Sequence, residues 1–192
     1  MGLDMYLEKV SKIGDMTLNE ILETAEYIEY QNRPAKYKEC SFARWCNGDM
    51  NLVREDMIDA VKDNIKVRYY TWDDTQSFGR KRIFDSVMYW RKANQIHKWF
   101  VENVQDGVDD CGIYVVSEEQ LTELYDTAKR VLETKDPSVA RELLPTTSGF
   151  FFGSTEYDQW YYEKVKETVE QLEKCLKEIY FENEIVYYTS SW

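Results

Sequence analysis

Leu3-Asp4-Met5-Tyr6-Leu7-Glu8, near one end of the chain, and Glu184-Ile185-Val186-Tyr187-Tyr188-Thr189, near the other, are the stretches that decide the fold. In the first, Leu3, Met5 and Leu7 alternate with Asp4, Tyr6 and Glu8. That period of two is the mark of a strand with one buried face. The second is rich in β-branched and aromatic residues and reads as a strand as well. Between them most of the sequence carries helical spacing. The pattern predicts an α+β fold, predominantly helical, with a small antiparallel sheet that includes the N- and C-terminal strands. The 192 residues are close to one domain's worth. No internal repeat or Pro/Ser-rich linker interrupts them, so residues 1–192 are expected to form a single α+β domain.

Working inward, Thr17 and Glu20 have the spacing of a capping box. Leu18, Ile21, Leu22, Ala25 and Ile28 follow at helical intervals, which predicts a helix over 17–31 ended by Asn32-Arg33-Pro34. Residues 33–50 read as irregular, with Cys40, Phe42, Trp45 and Cys46 against the body of the protein. A short helix is expected around 52–63 and a strand over Lys66–Trp72, with Asp73-Asp74 and Gly79 marking a loop after it.

The next segment, 84–104, reads as one long helix with Tyr89, Ala93, Ile96 and Phe100 on an apolar stripe. Trp90, His97, Val101 and Val104 lie beside that stripe, and Arg91, Asn94, Gln95, Lys98 and Glu102 form the polar face. Gly107 stops it, and 112–116 reads as a short strand. Ser117 with Gln120 caps a helix carrying Leu121, Leu124, Tyr125, Ala128 and Leu132, and Asp136-Pro137 opens another. The last helix is expected over 156–181, with Ser154 or Thr155 as its cap.

Composition removes several classes of function. The net charge of −12 repels nucleic-acid backbones, so no nucleic-acid partner is expected. No apolar run approaches the roughly 20 residues that cross a bilayer, and no membrane partner is expected. Met1-Gly2 lacks the Ser or Thr at position six that myristoylation requires, since Tyr6 stands there. Cys40, Cys46, Cys111 and Cys175 are scattered and without a CxxC, and no secretory leader opens the chain, so reduced thiols and a cytoplasmic location are expected. One histidine and four unclustered cysteines offer no metal spacing, and neither metal nor cofactor is expected.

Charge is unevenly placed. From Arg80 to Lys98 six basic residues stand against the single acid Asp85, and from Gln31 to Gly48 four stand against Glu39. Basic islands in an acidic chain suit a local anion site, although solvated charges paired with the acidic surface give the same pattern. His97 is the only histidine, so any histidine-dependent catalysis must use it; beside an apolar stripe it also fits a satisfied core residue. The run GFFFGST at 149–155 cannot turn all three phenylalanines one way, which leaves at least one exposed or lining a cavity. Gly149 and Gly153 permit tight turns there. The run is not a nucleotide-binding glycine loop, because neither GxxxxGK[ST] nor GxGxxG occurs.

Three blocks, GLDMYL at 2–7, YWRKANQIHKWFVENVQDG at 89–107 and LLPTTSGFFFGSTEYD at 143–158, resemble the signature blocks of a family of bacteriophage and prophage proteins without an assigned activity. The resemblance spans most of the chain. It implies a phage origin, marks Trp90, Arg91, Asn94, His97, Lys98, Gly149, Phe151, Gly153, Ser154, Thr155 and Tyr157 as shared positions, and carries over no catalytic role. A phage-encoded protein of this size suits host-directed work, including sequestration of the nucleotide signals of host immunity in the host cytoplasm.

The first expectation is therefore a small phosphorylated ligand, bound by Trp90, Arg91, Asn94, His97 and Lys98 together with Phe151, Ser154, Thr155 and Tyr157. Arginine would grip phosphate, aromatics would stack on a base, and Asn94 or His97 would read polar edges. An acidic inhibitor of a host defence protein is the alternative, and a small nucleotide hydrolase using His97 or a carboxylate pair is a second one. Fifteen tyrosines and six tryptophans exceed what the core needs, which favours a homo-oligomer.

Overall fold

The computed structural model describes residues 2–32, 50–73 and 76–192, and the side chains of all of these except 67–81. The readings placed on 33–49, including Cys40, Phe42, Trp45 and Cys46, lie outside the described residues. The fold is α+β, with both terminal strands in one four-stranded antiparallel sheet. The chain divides into two compact units: residues up to Lys9 with Ser86–Trp192, and Val10–Asp85. The division falls inside one strand and at the start of another, so no linker marks it in the sequence.

The first unit holds the sheet, in the order β4-β1-β6-β5. β1 is Asp4–Ser11, β4 Asp85–Arg91, β5 Ile113–Val116 and β6 Glu184–Ser191. β5 and β6 run antiparallel with Ile113 opposite Thr189 and Val116 opposite Val186. β1 and β6 are tied by the Lys9–Glu184 ion pair at 2.7 Å and by the Tyr187 hydroxyl, which donates to Glu8 Oε2 at 2.8 Å. Leu3, Met5 and Leu7 are completely buried, as their alternation predicts. They share one core with Met88 and Trp90 of β4, Val186 and Tyr188 of β6, and the inward faces of four helices. Truncating one of these leucines to alanine would cost about 2–5 kcal/mol through lost transfer energy and the cavity left behind.

Those helices are α3 (Asn94–Asn103), α4 (Glu118–Thr134), α5 (Pro137–Leu143) and α6 (Gln159–Glu178). Ser117 and Gln120 form the capping box expected of α4, and Asp136 caps α5 with Pro137 in its first turn. α4 packs on α6, whose Tyr161, Val165, Thr168, Leu172 and Cys175 are buried at helical spacing. The Phe100 and Tyr188 rings stack with centroids 4.0 Å apart, joining α3 to the sheet.

The second unit contains α1 (Leu18–Gln31), a short 3₁₀ turn at Glu55–Met57 leading into α2 (Ile58–Asn64), and an antiparallel hairpin of β2 (Lys66–Asp73) with β3 (Gln76–Arg82). Thr17 and Glu20 close the capping box of α1. α1 packs on α2, and the buried Thr24 hydroxyl accepts the Arg54 N–H at 2.9 Å.

Four sequence readings are corrected. Residues 84–104 are not one helix: β4 ends at Arg91, Lys92 turns the chain at φ +54°, and α3 starts at Asn94. Met88 and Trp90 point inward while Tyr89 and Arg91 are exposed, a period of two that the helical stripe concealed. Asn94 and Gln95, placed on a polar outer face, are buried. The stretch around Gly79 is the strand β3 rather than a loop; in a two-stranded ribbon every strand is an edge, and edges tolerate glycine and runs of Lys and Arg. Finally, α6 begins at Gln159 with Asp158 as its cap, so Ser154 and Thr155 precede the helix.

Candidate functional site

The segment between α5 and α6, residues 144–158, is built onto α3 by one side chain. Asn94 donates through Nδ2 to the Ser154 carbonyl at 2.8 Å and the Phe152 carbonyl at 3.3 Å. Its Oδ1 accepts the Thr147 N–H at 3.2 Å. A buried amide with both ends used in this way holds two strands of a loop together. Thr146 closes the base: its hydroxyl donates to the Thr155 carbonyl at 3.0 Å and its N–H to the Tyr157 hydroxyl at 3.2 Å.

Local chemistry explains the tip. Phe152 folds inward and is 5% exposed, with its ring over Gly149, where any Cβ would lie 2.5 Å from the ring. Gly153 has φ +98° and passes Lys92, so a side chain there would be strained and crowded. Phe151 takes φ +63°, an uncommon conformation for a bulky residue, and remains 54% exposed. Phe150 is 78% exposed, and the two rings sit 4.2 Å apart. Lys92 is exposed beside this tip and makes no ion pair among the described residues. A Cβ on Gly2 would lie 3.5 Å from Lys92 and 3.6 Å from the Phe151 carbonyl, so the first residues, the β4–α3 turn and the loop meet here.

Behind the tip a polar chain runs from the buried Tyr188 and His97 to the exposed Asp109 and Trp192. His97 is 1% exposed, with Nδ1 2.8 Å from the Tyr188 hydroxyl and Nε2 3.0 Å from Asp109 Oδ2. An ionised carboxylate only accepts, so Nε2 carries a proton, and in a neutral imidazole Nδ1 then accepts from Tyr188. The other Asp109 oxygen accepts the Trp192 indole N–H at 3.1 Å. Phe152 packs edge-on between His97 and Trp192. Burial pushes the Tyr188 phenol well above its ordinary pKa, which keeps it a donor.

The nine residues singled out from the sequence therefore divide. Asn94, His97, Phe151, Ser154, Thr155 and Tyr157 all belong to the loop or its support. Ser154 and Thr155 act there through their carbonyls, while the Ser154 hydroxyl accepts the Glu156 N–H. Tyr157 lies under the Arg141 guanidinium at 5.0 Å. Three others have partners elsewhere: the buried Trp90 donates to Thr168 at 2.9 Å, Arg91 pairs with Asp4 at 3.6 Å, and Lys98 with Glu102 at 3.7 Å. Sequence reasoning missed Lys92, Asp109, Phe152, Tyr188 and Trp192. Nothing local linked Asp109 or Tyr188 to His97, from which they lie 12 and 91 residues away.

Among the described residues no cluster of His, Cys, Asp and Glu could hold a metal ion, and no helix is long and apolar enough to cross a membrane. Cys111 and Cys175 are free thiols. No family model, curated protein or solved structure matches the chain.

Proposed function

We propose that the protein binds a small phosphorylated ligand of the nucleotide type, and that in a phage setting it acts by sequestering such a signal. The observation that carries this reading is the exposed Phe150–Phe151 pair, presented on a loop clamped by Asn94, beside the Lys92 cation, which has no ion pair among the described residues. Aromatic faces suit a base and a cation suits a phosphate. Ordering the loop in advance lowers the entropic cost of binding. The side chains of Trp90, Asn94 and His97 support this surface from within instead of touching the ligand. The histidine-dependent form of the enzyme reading is disfavoured, because both ring nitrogens of His97 are engaged.

The test is a thermal-shift screen of the purified chain against cyclic and linear nucleotides, followed by mass spectrometry of ligand released on heating. Intact ligand and a raised melting temperature are expected, since binding to the native state alone stabilises it. Phe150→Ala and Lys92→Asn, the latter chosen because asparagine tolerates φ above zero, should each weaken the shift. Altered ligand would replace the binding reading with an enzyme. No shift with any compound, together with a host protein whose capture depends on Phe150, would replace it with the protein-inhibitor reading, which the same exposed phenylalanines suit.

A further inference from the structure

We infer that the N-terminus of α3 is an oxyanion site that takes the phosphoryl group of the ligand; this rests on the proposed function and deepens it. The helix is preceded by Ala93, which supplies no side-chain hydrogen bond to the first turn, and that turn contains no acidic residue. The N–H groups of Ile96 and His97 both turn back to the Ala93 carbonyl at 3.0 Å. Those of Asn94 and Gln95 donate to no described group. Buried N–H groups without an acceptor are rare and costly.

A second observation points the same way. Gln95 is only 3% exposed, yet its side-chain amide nitrogen has no hydrogen-bond partner. Side chains on a helix lean toward its N-terminus, so a glutamine at the second helical position has the reach to bring its amide over the first turn. Two main-chain N–H groups and one side-chain amide, all on the adjacent residues Asn94 and Gln95, are then unfilled, and every one of them is a donor. An acceptor-only group with several oxygens satisfies such a set, and the helix dipole favours it when it is negative. Lys92, one residue before Ala93, adds a cation with no counter-charge among the described residues. The Asn94 side chain is already committed to the loop, which places this turn directly beneath the segment that carries Phe150 and Phe151.

The experiment is a titration of the full ¹⁵N-labelled chain with inorganic phosphate, and separately with a nucleoside monophosphate and the matching nucleoside, followed by amide chemical shifts. Phosphate should move the Asn94 and Gln95 main-chain resonances and the Gln95 side-chain pair in a saturable way. Gln95→Met, close in shape but without the donor, should weaken phosphate binding by about tenfold, the scale of one hydrogen bond to a charged group. Lys92→Asn should weaken it as well, so a misfolded Gln95 variant would not leave the question open. If these resonances stay still throughout the phosphate titration, the site is overturned. If the monophosphate moves Phe150 and Phe151 but not Asn94 and Gln95, this inference fails while the proposed function stands. If phosphate binds as expected but the nucleotide adds nothing over it, the site stands and the nucleotide reading fails.

Discussion

At the start of α6 the Asp158 carboxylate takes the Tyr161 N–H at 3.1 Å, whereas at the start of α3 Ala93 offers its helix no side-chain acceptor. Both helices belong to the same unit, and the loop between α5 and α6 touches both beginnings. α6 is closed by its own sequence: Asp158 satisfies an orphan donor and complements the dipole. α3 is closed at its side chains but open at its donors, because Asn94 reaches across to the loop instead of back to its own turn. A polar residue near a helix start is thus not always a cap. Here it is a strut, and the donors it leaves unfilled define the candidate anion site.

The largest effect is expected where the strut is removed. Asn94→Ala deletes three hydrogen bonds and leaves the Thr147 N–H and two loop carbonyls without their partner. At about 0.5–1.5 kcal/mol per bond the loss should be about 2–4 kcal/mol, read by urea unfolding, with faster amide exchange over 147–154. A loss under about 1 kcal/mol would mean that the loop is held by something other than Asn94.

Next in size is Tyr188→Phe, which leaves His97 Nδ1 buried without its donor and should cost about 1–3 kcal/mol. It also changes the alkaline behaviour. Burial raises the phenol pKa of both Tyr161 and Tyr188 above the ordinary value of 10.0. The unfolded chain therefore ionises first. The stability these groups contribute is complete below pH 10 and is lost as pH rises from there toward the folded-state values. Melting temperature against pH should fall more gently in Tyr188→Phe than in the parent chain, and an unchanged slope would remove Tyr188 from the account.

The smallest effects test the comparison itself. Asp158→Ala should cost about 1 kcal/mol, as loss of a helix cap does. Ser154→Ala should stay within about 0.5 kcal/mol, because that hydroxyl holds only an exposed N–H. Equal costs at the two positions would place the cap where the sequence suggested it.

The parts legible in advance were those whose signal is local. Thr17 with Glu20, Ser117 with Gln120, and Asp136 before Pro137 each carry a cap within three or four residues, and each opens a helix as read. The β4–α3 junction was not legible, because Lys92 occupies a left-handed turn that glycine or asparagine would have announced. Trp90 and His97 looked like neighbours on one helix; they lie on a strand and a helix, and they donate to or accept from different elements.

Alternation of Leu3, Met5 and Leu7 alone determined that the chain's first strand has a buried face, and helical spacing alone determined which side of α4 packs inward, because burial follows directly from residue period. Tertiary structure decided the rest. It put β1 beside β6 at the centre of the sheet, brought Asp109 and Tyr188 to the two nitrogens of His97, and turned Asn94 from its own helix to the loop. Those choices depend on which distant polar groups can satisfy one another once water is excluded, and no local spacing encodes that.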